Sequence, residues 1–290
     1  MTRESRATHL LEQRVQVIRK TMGDVSLRTQ NPDRVPDLHT YITVVLLRPL
    51  RLLLTEPIVA MVSAISGLAF ALIYLFTEVL PIVYGSYGFR SEQTSLAFIA
   101  MAIGFLCSIF TRILDHRLAV RRDHNLSPEE KLTGFAIAAP AFAIGLWWFA
   151  WTVPPAVHAP WIISMLALIP IGFAINEFDC VLVGYLTDAY TTFASSAFAS
   201  LSLLRSILSG VFPLFARQMY TNVGANYATT ILAGVATVAC VSPLILIRYG
   251  ARIRRASKFA SYSLALENEG ASSHMAEGDV VLQVTTSKTA

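Results

Sequence analysis

Charge is what this sequence has least of. Asp, Glu, Lys and Arg make up only 14% of its 290 residues, against about 25% in soluble domains, which argues against a water-soluble fold. Cysteine is scarcer still. Cys107, Cys180 and Cys240 form no close pairs and lack the Cys or His spacing of a zinc site, so core thiols are expected and no metal. His9, His39, His116, His124, His158 and His274 fall in loops or tails, which leaves no catalytic triad at a common depth. No Walker loop and no glycine-rich dinucleotide fingerprint occurs. The chain therefore reads as neither an ATP-driven machine nor an enzyme, with no cofactor and no nucleic-acid partner expected. The first residues are polar and basic rather than charged and then apolar, so no cleavable export signal is expected.

What is abundant is apolar: 54% of the residues are hydrophobic, in blocks close to the roughly 20 residues that cross a bilayer as a helix. The aromatic residues are mixed into these blocks without the alternation of barrel strands. Six spans are predicted, at 57–84, 95–114, 133–153, 160–186, 195–216 and 227–247. All are helical, because lipid offers the backbone no other partner. The expected fold is all-α, with a six-helix membrane domain over 53–250. A basic segment over 1–52 precedes it, and a polar tail over 251–290, expected to be disordered, follows. Within 1–52, Leu11, Val15, Ile18 and Met22 share one face of a short amphipathic helix, suited either to the membrane surface or to solvent.

Basic residues set the orientation. Nine lie between Arg3 and Arg51, five between Arg112 and Lys131, and six between Arg248 and Lys288, whereas the loops on the other side hold only Arg90 and Arg217. The positive-inside rule places both termini in the cytoplasm. The sequon at Asn125 then falls on the cytoplasmic side and is expected to carry no glycan. Trp147, Trp148, Trp151 and Trp161 fit an interfacial belt at the outer surface.

The exceptions to the apolar rule lie between Pro170 and Arg217, where Glu177, Asp179 and Arg205 fall inside predicted spans. A charge at that depth costs roughly 2.5–3.5 kcal/mol, so such residues face a bundle interior or a wet cavity. They either line a functional path or pair across helices to hold the bundle. Glu177 and Asp179 point about 200° apart on a helix and cannot face the same way. Arg205 is expected to pair with one of them, with a cationic anchor for an anionic substrate as the other reading.

Several segments in order, RPLRLLLTEPI at 48–58, YLFTEVLPIVY at 74–84, PIGF at 170–173, YLTDAY at 185–190, LRS at 204–206, FPLF at 212–215 and RYGARIR at 248–254, resemble the fungal drug:proton antiporters of the major facilitator superfamily, in its polyamine and multidrug resistance branch. The likeness runs from about 12 to 260 and corresponds to the second six-helix half of such a transporter. It implies proton-coupled export of small organic compounds such as drugs, toxic metabolites or polyamines. The implied setting is a multi-pass protein of the plasma membrane whose partners are the bilayer, substrate, protons and either a second copy or the missing first half. The alternative is a non-transporting membrane protein, a remnant or a partner subunit of a full transporter.

The resemblance also gives roles to residues. Thr111–Leu118, with Arg121 and Arg122, is similar to a superfamily loop motif in which a helix-end Asp pairs with nearby Arg residues. Asp115 with Arg117 or Arg121 is the expected cytoplasmic latch, with simple positive-inside anchoring as the other reading. Glu78, three residues before Pro81, is the first candidate for proton coupling or for a cationic substrate, followed by Glu177 and Asp179. Pro81 bends its helix and frees a carbonyl, and Gly210 with Pro213 permits a second kink or close helix approach. Asp188 and Tyr190 read as a loop at the cytoplasmic edge.

Overall fold

The computed structural model describes residues 15, 20, 47–121, 128–154, 159–257 and 259–263. The chain divides into two compact units, Met1–Arg48 and Pro49–Ala290. In the first, the amphipathic face expected around Leu11, Ile18 and Met22 lies outside the described residues, as do Arg122, the sequon at Asn125 and the tail from 264 onward.

The second unit is a helical bundle. In chain order come α1 (Arg48–Thr55), α2 (Pro57–Gly85), the single turn α3 (Ser91–Thr94), α4 (Leu96–Arg121), a 3₁₀ turn at Glu130–Leu132, and α5 (Thr133–Thr152). Then follow α6 (Trp161–Leu166), α7 (Leu168–Ala189), a 3₁₀ turn at Thr191–Phe193, α8 (Ala194–Asn222), α9 (Ala225–Ala239) and α10 (Ser242–Ala256). No strand occurs among the described residues. Six stretches are long and apolar enough to cross a membrane: Pro57–Gly85, Glu92–Asp115, Glu130–Thr152, Trp161–Ala189, Thr191–Asn222 and Ala225–Ala256.

Two spans are built from two helices each. The fourth bends at Ala167, between α6 and α7, and the sixth at Cys240–Val241, where Pro243 follows within α10's first turn. A proline there has no N–H to offer the preceding turn, so a new helix starts. The last two spans also run past their predicted ends, because Arg217–Asn222 and Arg248–Ala256 continue the helices after the apolar sequence stops. α8 and α9 are joined by the short link Val223–Gly224, and Gly224 takes φ 93°, a left-handed conformation that glycine adopts without steric penalty. Pro81, Pro140 and Pro213 all lie inside uninterrupted helices.

α7 is central: it packs on α4 and α5 and also meets α2 and α8, while α2 packs along α8 and α5 along α9. Small residues set these approaches. A Cβ on Gly104 would overlap the Ile169 carbonyl oxygen and lie 2.6 Å from the Phe173 nitrogen, and one on Gly172 would lie 2.8 Å from the Met101 Cα. The α4 and α7 backbones therefore touch where neither helix has a side chain, the usual device for close helix packing in lipid. Between α5 and α7, Phe178 sits edge-on to Phe135 and Phe142 at ring distances of 5.4 and 5.3 Å. Phe76 of α2 meets Phe149 of α5 at 5.7 Å.

Burial is uneven. More than half of the apolar window of the first, third and fourth spans is buried within the chain, but only 33% of the second and 11% of the fifth. The exposed faces are apolar: Ile103, Leu106, Ile109 and Phe110 on α4, and Leu203, Ile207, Val211 and Leu214 on α8. Cys107 and Cys180 are exposed rather than core thiols, because the faces of α4 and α7 that carry them point away from the bundle. Cys240 is half-buried and donates to the Ala139 carbonyl at 3.1 Å. The four tryptophans are partly exposed, and Trp147 donates its indole N–H to Thr237 Oγ1 at 3.0 Å.

Candidate functional site

Helical spacing separates the two carboxylates of α7 as expected from their sequence offset. Glu177 is fully buried and faces α4, where Thr111 Oγ1 and Arg112 Nη2 both donate to it. Asn176, one residue earlier, donates to Ser108 Oγ, so a polar seam runs between α4 and α7. Gly134 of α5 closes over the seam, and a Cβ there would overlap the Glu177 carboxylate. The arrangement satisfies a buried charge with a cation and a hydroxyl, which is what a low-dielectric interior demands.

Asp179 faces the other way and accepts from Arg205 Nη1 of α8 at 2.7 Å. Arg205 also lies over the Phe70 ring of α2, 4.2 Å from its centroid, as a cation–π contact. This pair ties α2, α7 and α8 together at mid-span. Unlike Glu177 it is partly open, with side chains 22% and 40% exposed for Arg205 and Asp179. A strong charge pair that remains accessible inside a span can be broken and remade by a ligand or a proton, whereas a sealed one is structural. Glu78 is exposed on α2 and makes no hydrogen bond or ion pair among the described residues.

The latch differs from expectation. Asp115 pairs with Arg112 at 3.1 Å and makes no ion pair with Arg117 among the described residues. Residues three apart share a helix face, whereas Arg117 is two away and points to the opposite side, where it is exposed. Arg112 thus bridges Asp115 and Glu177, joining the predicted latch to the predicted path through a residue that the sequence reading counts only as a topological charge. The side chain of Arg121 lies outside the described residues, as does Arg122.

More charged contacts gather at the end of the bundle where α2, α5 and α8 begin. Arg254 of α10 grips Glu129, just ahead of the third span, through two hydrogen bonds of 2.8 and 2.7 Å. The two side chains are only 11% and 9% exposed, respectively. Gly250 leaves room beside them for the Tyr185 hydroxyl, which is buried without a hydrogen-bond partner among the described residues. Lys131 pairs with Asp188 at 2.6 Å on the surface. Tyr190, expected in a loop, is fully buried and donates to Glu56 Oε2 at 3.0 Å. Burial, with the Glu56 carboxylate beside it, raises the Tyr190 phenol well above its ordinary range, so it stays a donor. Sequence reasoning missed Glu56, Glu129 and Arg254 because each sits at a span boundary, where charges are ordinary.

The opposite end is closed by neutral groups. Asn226 donates to the Ala150 and Val153 carbonyls at 2.7 Å each, Tyr220 pairs with Thr229 at 2.9 Å, and Tyr87 donates to the Thr152 carbonyl at 3.2 Å. No group of three or more His, Cys, Asp or Glu residues able to hold a metal occurs among the described residues.

No known family profile matches the chain, and no solved structure matches it. Curated proteins do. An MFS-type efflux pump of Trichophyton rubrum is 38% identical over 220 residues, which is 74% of this chain and 37% of that protein. A major facilitator superfamily multidrug transporter of Aspergillus fumigatus is 34% identical over 267 residues, covering 90% and 44%. An efflux pump of Gibberella moniliformis is 31% identical over 279 residues, covering 94% and 47%. The chain spans less than half the length of each of these relatives.

Proposed function

Since the chain belongs to the major facilitator superfamily, whose members are membrane transporters and not enzymes, we propose that it supplies one six-helix half of a proton-coupled exporter of small organic compounds. The observation that carries this reading is the accessible Asp179–Arg205 pair beneath Phe70, at mid-span where three helices meet. In two-half transporters the substrate site lies near the bilayer midplane between the repeats. A proton or an organic cation arriving at Asp179 competes with Arg205 for the carboxylate, and release of Arg205 loosens α8 from α7. Glu78, exposed and unpaired on α2 among the described residues, is a second proton-accepting group on the same half. The Arg112–Asp115–Glu177 group serves as the latch that holds α4 against α7. The same reading places the chain in the plasma membrane, with both termini in the cytoplasm, the orientation that the distribution of basic residues favours.

The exposed apolar faces of α4 and α8 are the surfaces against which the other half, or a second copy, packs. Matching relatives more than twice the aligned length favours a complementary half. The remaining reading is a partner subunit or remnant that moves nothing. Proteoliposome flux separates the two. The chain is reconstituted alone and together with the first six spans of a relative, and efflux of a fluorescent organic cation is driven by a pH gradient. Flux that needs the added first half and falls at least about tenfold in Asp179→Asn supports the transporter reading. Folded protein that gives no flux in either arrangement overturns it, and flux indifferent to Asp179→Asn and to Glu78→Gln overturns the assignment of the path.

A further inference from the structure

A cleft of about 360 Å³ opens at the charged end of the bundle, lined by Arg51, Thr55, Glu56 and Pro57 on one side and by Ile253, Ala256, Ser257 and Phe259 on the other. Its chemistry is unusual for a rim. Glu56 is only 4% exposed, yet its one hydrogen bond among the described residues comes from a neutral phenol, Tyr190, and it makes no ion pair there. A buried carboxylate without a counter-ion is costly unless something positive reaches it. Arg51, one helical turn earlier, is exposed and has no carboxylate partner among the described residues. The cleft therefore carries one unmatched anion and one unmatched cation in the same lining.

Its location narrows the ligand. Pro57 opens the first membrane span and Ala256 ends the last, so the cleft lies at the level where lipid headgroups begin. α1 presents Leu50 and Leu54, 42% and 77% exposed, within one turn of Arg51. Exposed leucines beside an arginine at the end of a span suit a helix lying in the interface, its apolar side among acyl chains. Thr55 is not part of the recognition, because its hydroxyl is committed to the Arg51 carbonyl at 2.7 Å.

We propose that this cleft binds the headgroup of a primary-amine phospholipid, with the phosphate on Arg51 and the ammonium on Glu56. A primary ammonium has three N–H donors to satisfy the carboxylate, whereas a choline group carries the same charge with none. An anionic headgroup without an amine leaves Glu56 unmatched and adds a second negative charge beside it. The preferred class is therefore zwitterionic and amine-bearing. The site is separate from the proposed transport path, and its test does not depend on flux.

The full chain in nanodiscs made of equal parts phosphatidylethanolamine, phosphatidylcholine and phosphatidylglycerol with identical acyl chains is released for native mass spectrometry, and the retained lipid is identified. Retention of one ethanolamine lipid over choline lipid by about tenfold is expected, the discrimination of a hydrogen bond to a charged group. Glu56→Gln should bring the ethanolamine-to-choline ratio near one, while Arg51→Ala should lower retention of both lipids. Equal retention of the two lipids by the unaltered chain overturns the proposal, whether or not the variants fold. An ethanolamine preference that survives both substitutions overturns it as well, since the lipid then sits elsewhere. Soluble O-phosphoethanolamine added to the detergent-solubilised protein should displace the lipid only at far higher concentration; displacement at equal concentration overturns the lipid assignment in favour of a water-borne zwitterion.

Discussion

At the scale of single residues, the charges within this bundle differ in what their loss does. Arg254 and Glu129 are both nearly buried, so Arg254→Ala strands a carboxylate and should cost about 3–5 kcal/mol, while replacing both partners with apolar residues of similar volume should cost far less. Thermal unfolding in detergent checks this: the single variant should melt well below the double one, and equal losses would mean that the pair is solvated in the native state. Tyr190 adds a pH dependence of known sign. Its phenol is held protonated in the fold while the unfolded chain titrates at its ordinary 10.0, so its contribution is constant below that pH and declines as the pH rises above it. An alkaline melt in which Tyr190→Phe flattens the decline supports this, and an unchanged slope refutes it. Residue type was the legible part of the site: Glu177, Asp179 and Arg205 stand out because charge is rare inside apolar spans. Choice of partner was not. Whether Asp115 meets Arg112 or Arg117 is a matter of helix face and neighbouring helix, and Tyr190 lies one residue beyond a span end, where sequence does not separate a loop from a buried donor.

At the scale of helices, small residues decide how close the axes come. Gly104→Ala and Gly172→Ala each place a Cβ against backbone rather than against a movable side chain, so the helices must separate, at a cost of about 1–3 kcal/mol. Gly210→Ala, where a Cβ meets nothing within 4 Å, is the matched control and should be neutral or slightly stabilising. Denaturation midpoints of the three variants measure the difference, and a Gly210→Ala loss as large as the other two would remove the packing explanation. Span number and approximate position were readable because twenty-residue apolar blocks have few alternatives in a membrane. The breaks at Ala167 and Cys240–Val241 were not readable from hydropathy, since apolar sequence runs straight through both. Pro81 and Pro213, expected to kink their helices, lie within continuous helices, where a proline can bend the axis without ending the helix.

At the scale of the whole molecule, the unequal burial of the six spans is the dominant fact. A fifth span that is only 11% buried within its own chain leaves a long apolar face on α8 and another on α4, and lipid or protein must cover them. Co-expression with the first six spans of a relative should recover a stable one-to-one complex in detergent, and α8-face changes such as Leu203→Lys with Leu214→Lys should abolish it. Recovery of the chain only as a free monomer would count against a complementary half.

The two ends of the bundle are fastened by different forces. Ion pairs close one rim, through Glu129–Arg254 and Lys131–Asp188, while amide, hydroxyl and carbonyl groups close the other. Dissolved salt weakens exposed charge pairs over distances of about 8–10 Å and leaves neutral hydrogen bonds nearly untouched. Ionic strength is therefore a signal that this protein receives at a single rim: Lys131–Asp188, 51% and 36% exposed, feels the electrolyte first, Glu129–Arg254 is shielded from it, and the far rim does not respond.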